Sequence, residues 1–253
     1  MSAIELKWLD PNDPNYSFPS PESALDDPEG LLAAGGDLSS ERILKAYRCG
    51  IFPWYQQPQP ILWWCPNPRG VLYPKQSIAH KSVLRTLRRQ QWRVTFDTDF
   101  ENVIQACAEP RTYSRNTWIT DEMKQAYGEL HEQGYAHSLE VWNQQGKLVG
   151  GIYGLAMGKI FAGESMFSRA NDASKIALLS LAAYLDTWGY TMIDTQLPSK
   201  HLSSLGGQSI SRKLYLQQLE HSIQQQVSTQ AWQLGESVSL FEWLASRLYQ
   251  NLR

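Results

Sequence analysis

Residues 174–188, SKIALLSLAAYLDTW, form a strongly apolar helical stretch bracketed by strand-patterned segments on both sides. Asp172 stands where an N-cap belongs, and Gly189 ends the helix and leads into a strand over Tyr190–Gln196. Upstream lies a meander: Ser138–Asn143, a Gln-Gly turn, Leu148–Met157, a second turn at Gly158, then Lys159–Gly163. Antiparallel strands, a helix and a further strand imply a mixed α+β domain. Further helices are expected at Ser39 or Ser40 to Cys49, Ser77–Gln90, Phe100–Ala108, Asp121–Gln133 with Thr120 as cap, 211–226 and 238–251, with a strand at Trp92–Phe96. The first 65 or so residues are rich in Pro, Gly and Trp and read as a small lobe, so the chain divides into a lobe over 1–67 and a larger domain over 68–253.

Charge is distributed unevenly. Between Arg42 and Phe96 there is no Asp or Glu, while Arg42, Lys45, Arg48, Arg69, Lys75, Lys81, Arg85, Arg88, Arg89 and Arg93 supply ten cations. The rest of the chain holds 13 of the 23 basic residues against all 25 acidic ones, so a net charge of −2 conceals a polar molecule. This polarity suits a polyanion on one face, and equally a solvated basic surface. Lys81, Arg85, Arg88 and Arg89 recur at helical spacing and gather on one side of their helix, where they are candidates for the phosphates of a polyanion. The same segment carries FPWYQQPQPILWW, with Phe52, Trp54, Tyr55, Trp63 and Trp64. Rings beside cations are what unpaired RNA ends stack on, and aromatics near Pro also pack lobes together. Trp118, in NTWIT, is a further stacking candidate.

Asp194 and Gln196 are two apart on one strand and share a face. Asp194 would orient the Gln196 amide, leaving the amide oxygen to accept from an amine; a strand-end cap is the alternative. Glu164, after Gly163 where a strand leaves for a loop, could hold a cationic substrate group or pair with Arg169.

Other chemistries lack support. Cys49, Cys65 and Cys107 are widely spaced and odd in number, and the five histidines show no HxxxH or HExxH pattern, so no metal is expected. There is no GxSxG, P-loop or GxGxxG, and no apolar run of about 18 residues. The N-terminus, with acids and prolines, is unlike a secretory signal, so the expectation is a soluble, cytoplasmic protein without a membrane association.

FPSPESAL, GLLAAGGDLS, AYRCGIFPWY, ILWWCPNPRGVL, GGIYG, FAGESMFSRANDASKIAL and IDTQLPSKHLSSLG together resemble the leucyl/phenylalanyl-tRNA-protein transferase family, from about Phe18 to Tyr215. The resemblance implies a small N-terminal lobe on a GNAT-like acyltransferase domain with a mixed, largely antiparallel sheet. No coenzyme A pyrophosphate loop is found, so the implied donors are Leu-tRNA and Phe-tRNA, with no cofactor. The implied acceptor is a protein with N-terminal Arg or Lys, marked for degradation by the added residue. Asp194, Gln196 and Glu164 are then the catalytic candidates. The apolar pocket for the aminoacyl side chain maps onto Ile152, Phe161, Met166, Leu178, Leu181 and Ile193, which by periodicity also suit an ordinary core. Trp54 and Trp118 would meet the terminal adenosine and the aminoacyl group. An aminoacyl ester is already activated, so holding amine and ester together is the main task, and no covalent intermediate is required. A transferase with another acceptor, or a noncatalytic tRNA-binding module, remain as alternatives.

Overall fold

The computed structural model describes residues 6–89, 92–110, 117–233 and 239–250. In chain order the strands are β1 (Lys7–Leu9), β2 (Leu31–Gly35), β3 (Phe52–Pro53), β4 (Leu62–Trp64), β5 (Arg69–Leu72), β6 (Arg93–Phe96), β7 (Ala136–Trp142), β8 (Leu148–Met157), β9 (Ile160–Ser168), β10 (Met192–Gln196) and β11 (Gln208–Ile210). The helices are α1 (Ser40–Arg48), α2 (Lys81–Arg89), α3 (Phe100–Ala108), α4 (Asp121–Glu132), α5 (Ala173–Trp188), α6 (Lys200–Ser203), α7 (Arg212–Ile223) and α8 (Leu240–Gln250).

Two sheets result. The small one has the order β1-β2-β4-β3, and the large one β11-β5-β10-β9-β8-β7-β6. In the large sheet only β9 and β10 run parallel, joined by the α5 crossover; the other neighbours are antiparallel. This is a mixed, largely antiparallel α+β arrangement, with a small sheet in the N-terminal part of the chain and a larger one in the rest.

One face of the large sheet is covered by α5, with α2 and α8 alongside: Leu72, Phe96, Leu139, Val141, Ile152, Phe161 and Ile193 pack against Ile176–Leu185 and Val83. The other face meets α3, α4 and the small lobe in a shared core that joins Ile43, Tyr47, Phe52 and Trp63 to Val103, Met123, Tyr127, Tyr153 and Leu155. The lobe therefore has no separate apolar centre of its own in that region. Burying an aliphatic or aromatic side chain stabilises by about 1.5–3 kcal/mol, which makes this shared surface the main tie between the two sheets.

Three sequence expectations shift, each for a local reason. The helix expected from Ser77 begins at Lys81: Pro74–Gln76 forms a 3₁₀ turn, Ser77 is extended, and Ile78 N–H donates to Leu205 O at 3.0 Å. Asp172 precedes α5 without capping it, since its φ is 61° and its carboxylate accepts from Thr86 (3.0 Å) and Lys175 (2.7 Å). The strand expected to end at Gly163 continues to Ser168. Gly154 pairs with Gly163 and Tyr153 with Ser165, leaving Glu164 as the extra residue of a bulge, which breaks the two-residue alternation that sequence reading relies on. The short strands β1–β5 and β11 carry too few residues for a periodic signal.

Gly154 lies under the Phe161 ring, where a Cβ would overlap Ala162 O and sit 2.7 Å from two ring carbons. Gly154→Ala is accordingly expected to lower stability by about 1–3 kcal/mol, read as a lower urea midpoint at unchanged slope.

Candidate active site

The site is anchored by Arg69, the first residue of β5, whose side chain has no solvent exposure. Its Nε donates to Asp194 Oδ1 (2.8 Å), one terminal nitrogen donates to Asp194 Oδ2 (2.6 Å), and the other donates to Gly50 O at the end of α1 (3.0 Å). Tyr215 of α7 donates to Asp194 Oδ2 at 2.7 Å, and the guanidinium lies 4.3 Å from its ring centroid and 4.9 Å from that of Phe52. Burial opposes the Arg69 charge, but Asp194 and Tyr215 more than offset it and hold the guanidinium protonated. The pair thus joins both ends of the fold, from α1 to α7, across β5 and β10.

Asp194 acts on Gln196 through the backbone. Gln196 N–H donates to Asp194 Oδ1 at 2.9 Å, and Gln196 adopts φ 62°, beside a register irregularity against β5. A left-handed conformation is uncommon for a non-glycine residue, and here the Asp194 contact helps to hold it. The expectation that Asp194 orients the Gln196 amide directly is therefore corrected: both oxygens of the carboxylate are engaged by Arg69, Tyr215 and that backbone N–H. The residue that orients the amide is Glu164. Gln196 Nε2 donates to Glu164 Oε1 at 2.8 Å, and Gln196 Oε1 accepts no hydrogen bond from the described residues.

The last ladder pair between parallel β9 and β10 is Ala162 with Asp194, so the Gln196–Glu164 bond spans the place where the two strands cease to pair. The bulge aims Glu164 into the core shared with the lobe, at 9% exposure. There it accepts from Tyr47 of α1 (2.6 Å to Oε1) and from Tyr127 of α4 (3.0 Å to Oε2). Burial raises its pKa to about 7; the two tyrosine donors and Arg69 oppose this, and Asp194 adds to it. The suggested partner Arg169 instead pairs with Glu109 at 2.5 Å.

Ile152, Phe161, Leu178, Leu181 and Ile193 are buried together on the α5 face, with Met166 half-buried at their edge. Gly163 also faces that side: a Cβ there would find Ile193 Cγ2 at 3.8 Å and Ile152 Cδ1 at 3.9 Å. The apolar set and the Glu164–Asp194 set thus occupy opposite faces of the sheet, adjoining across Gly163 and Glu164. Lys81, Arg85, Arg88 and Arg89 are all exposed on α2, also on the α5 side. Of the ten cations in the acid-free segment, Arg42 and Arg69 are internal; Arg42 pairs with Asp37 at 3.0 Å, so they add nothing to a surface. Among the aromatics, Phe52, Tyr55 and Trp63 are core, whereas Trp54 is 36% exposed and tilts against Trp64 at 5.5 Å. Trp118 is half-buried against the lobe's core.

Sequence reading does not single out Arg69, Tyr47, Tyr127 or Tyr215 as site residues. Arg69 carries one signal, a lone arginine in the PNPRG turn, which by charge alone groups with the surface cations. Trp232 also escapes it: this ring stacks on His137 (4.2 Å between centroids), lies 5.3 Å from Phe161, and donates to Tyr190 at 2.9 Å, so it backs the apolar set from the C-terminal segment. No group of three His, Cys, Asp or Glu among the described residues is arranged to hold a metal ion. No helix among the described residues is long and apolar enough to cross a membrane.

The one parallel pair of the mixed sheet thus stops pairing beside an oriented carboxamide and a buried carboxyl. The family profile for leucyl/phenylalanyl-tRNA protein transferase matches residues 71–220, and that for its N-terminal domain matches residues 36–67. The chain is 56% identical over 210 residues to the leucyl/phenylalanyl-tRNA–protein transferase of Pseudomonas syringae pv. tomato, covering 83% of this chain and 90% of the relative. It is 55% identical over 214 residues to that of Stutzerimonas stutzeri, covering 85% and 93%. A solved structure, that of L-PGS from Bacillus licheniformis, overlaps at a TM-score of 0.39 and 12% identity, over 64% of this chain and 54% of that one. The chain belongs to the leucyl/phenylalanyl-tRNA protein transferase family and is an aminoacyltransferase.

The raised Glu164 pKa makes a stability statement. Between its ordinary value of 4.5 and about 7 the folded protein binds a proton that the unfolded chain has released, so the group's cost is absent below that window and complete above it. Glu164→Gln is expected to gain stability relative to wild type as pH rises through this range, by up to about 3 kcal/mol, measured by urea denaturation at several pH values.

Proposed function

We propose that this enzyme moves leucine or phenylalanine, and methionine weakly, from the 3′ end of a charged tRNA to the α-amine of proteins that begin with Arg or Lys. The added residue marks those proteins for degradation, and the reaction belongs in the cytoplasm, where charged tRNA is available. The observation that carries this reading is the Gln196–Glu164 hydrogen bond. With Nε2 committed to the carboxyl, the amide oxygen remains an acceptor for an amine N–H.

The division of roles follows from position. Gln196 receives the attacking amine, Glu164 lies hydrogen-bonded beside it, and Asp194, fully engaged by Arg69 and Tyr215, is a positioning residue. The aminoacyl side chain takes the apolar face of Ile152, Phe161, Met166, Leu178, Leu181 and Ile193, next to Gly163. Such a pocket separates ligands by only about 1–3 kcal/mol per methylene, which admits some methionine. Trp54 and Trp118 meet the terminal adenosine and the aminoacyl group, and the exposed cations of α2 take phosphates. We divide the chain into a lobe over 1–67 and a catalytic domain over 68–253.

A direct transfer suits the groups present. Cys65 is buried, and burial raises its pKa, which disfavours the thiolate that a covalent route would use. Positioning an activated ester against an amine can by itself remove about 7–11 kcal/mol of barrier.

With radiolabelled Phe-tRNA and a peptide that begins with Arg or Lys, wild type is expected to label the peptide. Gln196→Ala and Asp194→Ala are expected to lower the single-turnover rate on the order of 10²-fold. Wild-type rates in both variants would refute the assignment. In a separate titration, Arg85→Ala with Arg89→Ala is expected to weaken charged-tRNA binding. The slope of log K against log salt should flatten by about 0.7–0.9 for each phosphate that is no longer neutralised.

A further inference from the structure

The oxygens around Glu164 form a closed circuit. Tyr47 Oη lies 2.6 Å from Glu164 Oε1, Tyr127 Oη lies 3.0 Å from Oε2, and the two phenolic oxygens are 2.7 Å apart. Each of these contacts, to be a hydrogen bond, needs one proton between its oxygens. The two tyrosines bring two protons for three contacts. With Glu164 ionised, both hydroxyls turn to the carboxylate and their own oxygens face each other without a proton. With Glu164 protonated, the carboxyl donates to one tyrosine, that tyrosine to the other, and the second back to the carboxyl, so all contacts are satisfied. The arrangement has a place for one additional proton.

Nothing else around the carboxyl removes the need for it. Glu164 has no ion-pair partner among the described residues, because the Arg69 charge is taken by Asp194, which Tyr215 also contacts. Gln196 donates to Oε1 without changing charge. Tyr153 of β8 faces the same cluster, 5.6 Å from Tyr127 between ring centroids, and its hydroxyl has no partner among the described residues. Both Glu164 and Cys107 of α3 act to raise its pKa, after burial. Burial likewise keeps Tyr47 and Tyr127 in the phenol form, Glu164 reinforcing it, so of this ring only the carboxyl titrates near neutrality.

We infer that Glu164 is the proton acceptor of the transfer reaction, and that Tyr47 and Tyr127 are positioning residues that hold the accepted proton in a closed hydrogen-bond ring. The inference rests on the proposed transfer to an α-amine. That amine, with a reference pKa of about 7.7–8.0, arrives largely as an ammonium ion and cannot attack. One ammonium proton passes to the Glu164 carboxylate. The freed nitrogen lone pair, its N–H directed to Gln196 Oε1, then forms the C–N bond at the ester carbonyl. As the bond between the ester carbonyl carbon and the ribose oxygen breaks, the ribose oxygen takes a second proton from the nitrogen, leaving the amide with one. Glu164 returns its proton to solvent, and the net products are amide, deacylated tRNA and one proton.

The test is the pH dependence of single-turnover transfer from Phe-tRNA to one Arg-starting peptide, by wild type, Tyr47→Phe and Glu164→Gln, with charged-tRNA binding measured alongside. The wild-type rate is expected to fall as pH drops through about 7. Tyr47→Phe removes a donor to the carboxylate, so its limb should move to higher pH although the peptide is unchanged. Glu164→Gln should bind charged tRNA as before, lose 10²- to 10⁴-fold in rate, and retain only the limb of the amine itself, near about 7.7–8.0. One common limb at the amine's own pKa in all three enzymes would overturn the inference. So would a Glu164→Gln variant whose defect is wholly in tRNA binding. Failure of wild type to label the peptide at any pH would overturn the transfer reading itself, and the inference with it.

Discussion

A guanidinium without solvent contact has to be matched by a carboxylate and by enough acceptors for its N–H groups, or the fold that contains it is not stable. Arg69 meets this requirement with Asp194, the hydroxyl of Tyr215 and the carbonyl of Gly50, and these come from β10, α7 and the end of α1. Removing one partner of such a pair leaves a buried charge at a cost of about 3–5 kcal/mol. The same carboxylate takes the Gln196 backbone N–H and helps to hold that residue at φ 62°. The conformation of Gln196 is thereby tied to contacts that run through Asp194 and Arg69 to the end of α1 and to α7.

Glu164 stands in contrast to Asp194, although the two carboxyls lie on neighbouring strands. Asp194 is neutralised by a cation and hydrogen-bonded on both oxygens. Glu164 is surrounded by hydroxyls and an amide, without a cation, and burial raises its pKa toward neutrality. Two carboxyls of one chain are thus set in different surroundings, one paired with a buried guanidinium, the other without a cation and able to exchange a proton near neutrality. The β9 bulge that turns Glu164 toward the lobe is what brings Tyr47 and Tyr127, 80 residues apart in sequence, to the same carboxyl.

The cationic and aromatic parts of the acid-free segment lie in different places. The aromatic part builds the small sheet and shares its core with the Glu164 face, while the basic helix α2 packs beside α5 on the opposite face. An RNA that used both would approach across the sheet rather than along one surface. C-terminal Trp232 reaches the α5 side as well, stacked between His137 and the aromatic cluster around Phe161.

The periodic elements were legible in the residues themselves. The apolar run of α5, the glycine that stops it, the meander and the Thr120 cap of α4 are local properties, set by side-chain spacing and by backbone groups within a few positions. The motifs around Glu164, Asp194 and Gln196 likewise marked the family. Tertiary structure alone decided which groups meet. Whether Arg69 is a surface cation or a buried anchor, whether Glu164 pairs with Arg169 or with two tyrosines, and whether Asp194 holds a side chain or a backbone N–H all depend on contacts between residues distant in sequence. The strand end hidden by the β9 bulge and the short strands β1–β5 and β11 gave no period to read. Their positions follow from pairing partners, which only the assembled sheet supplies.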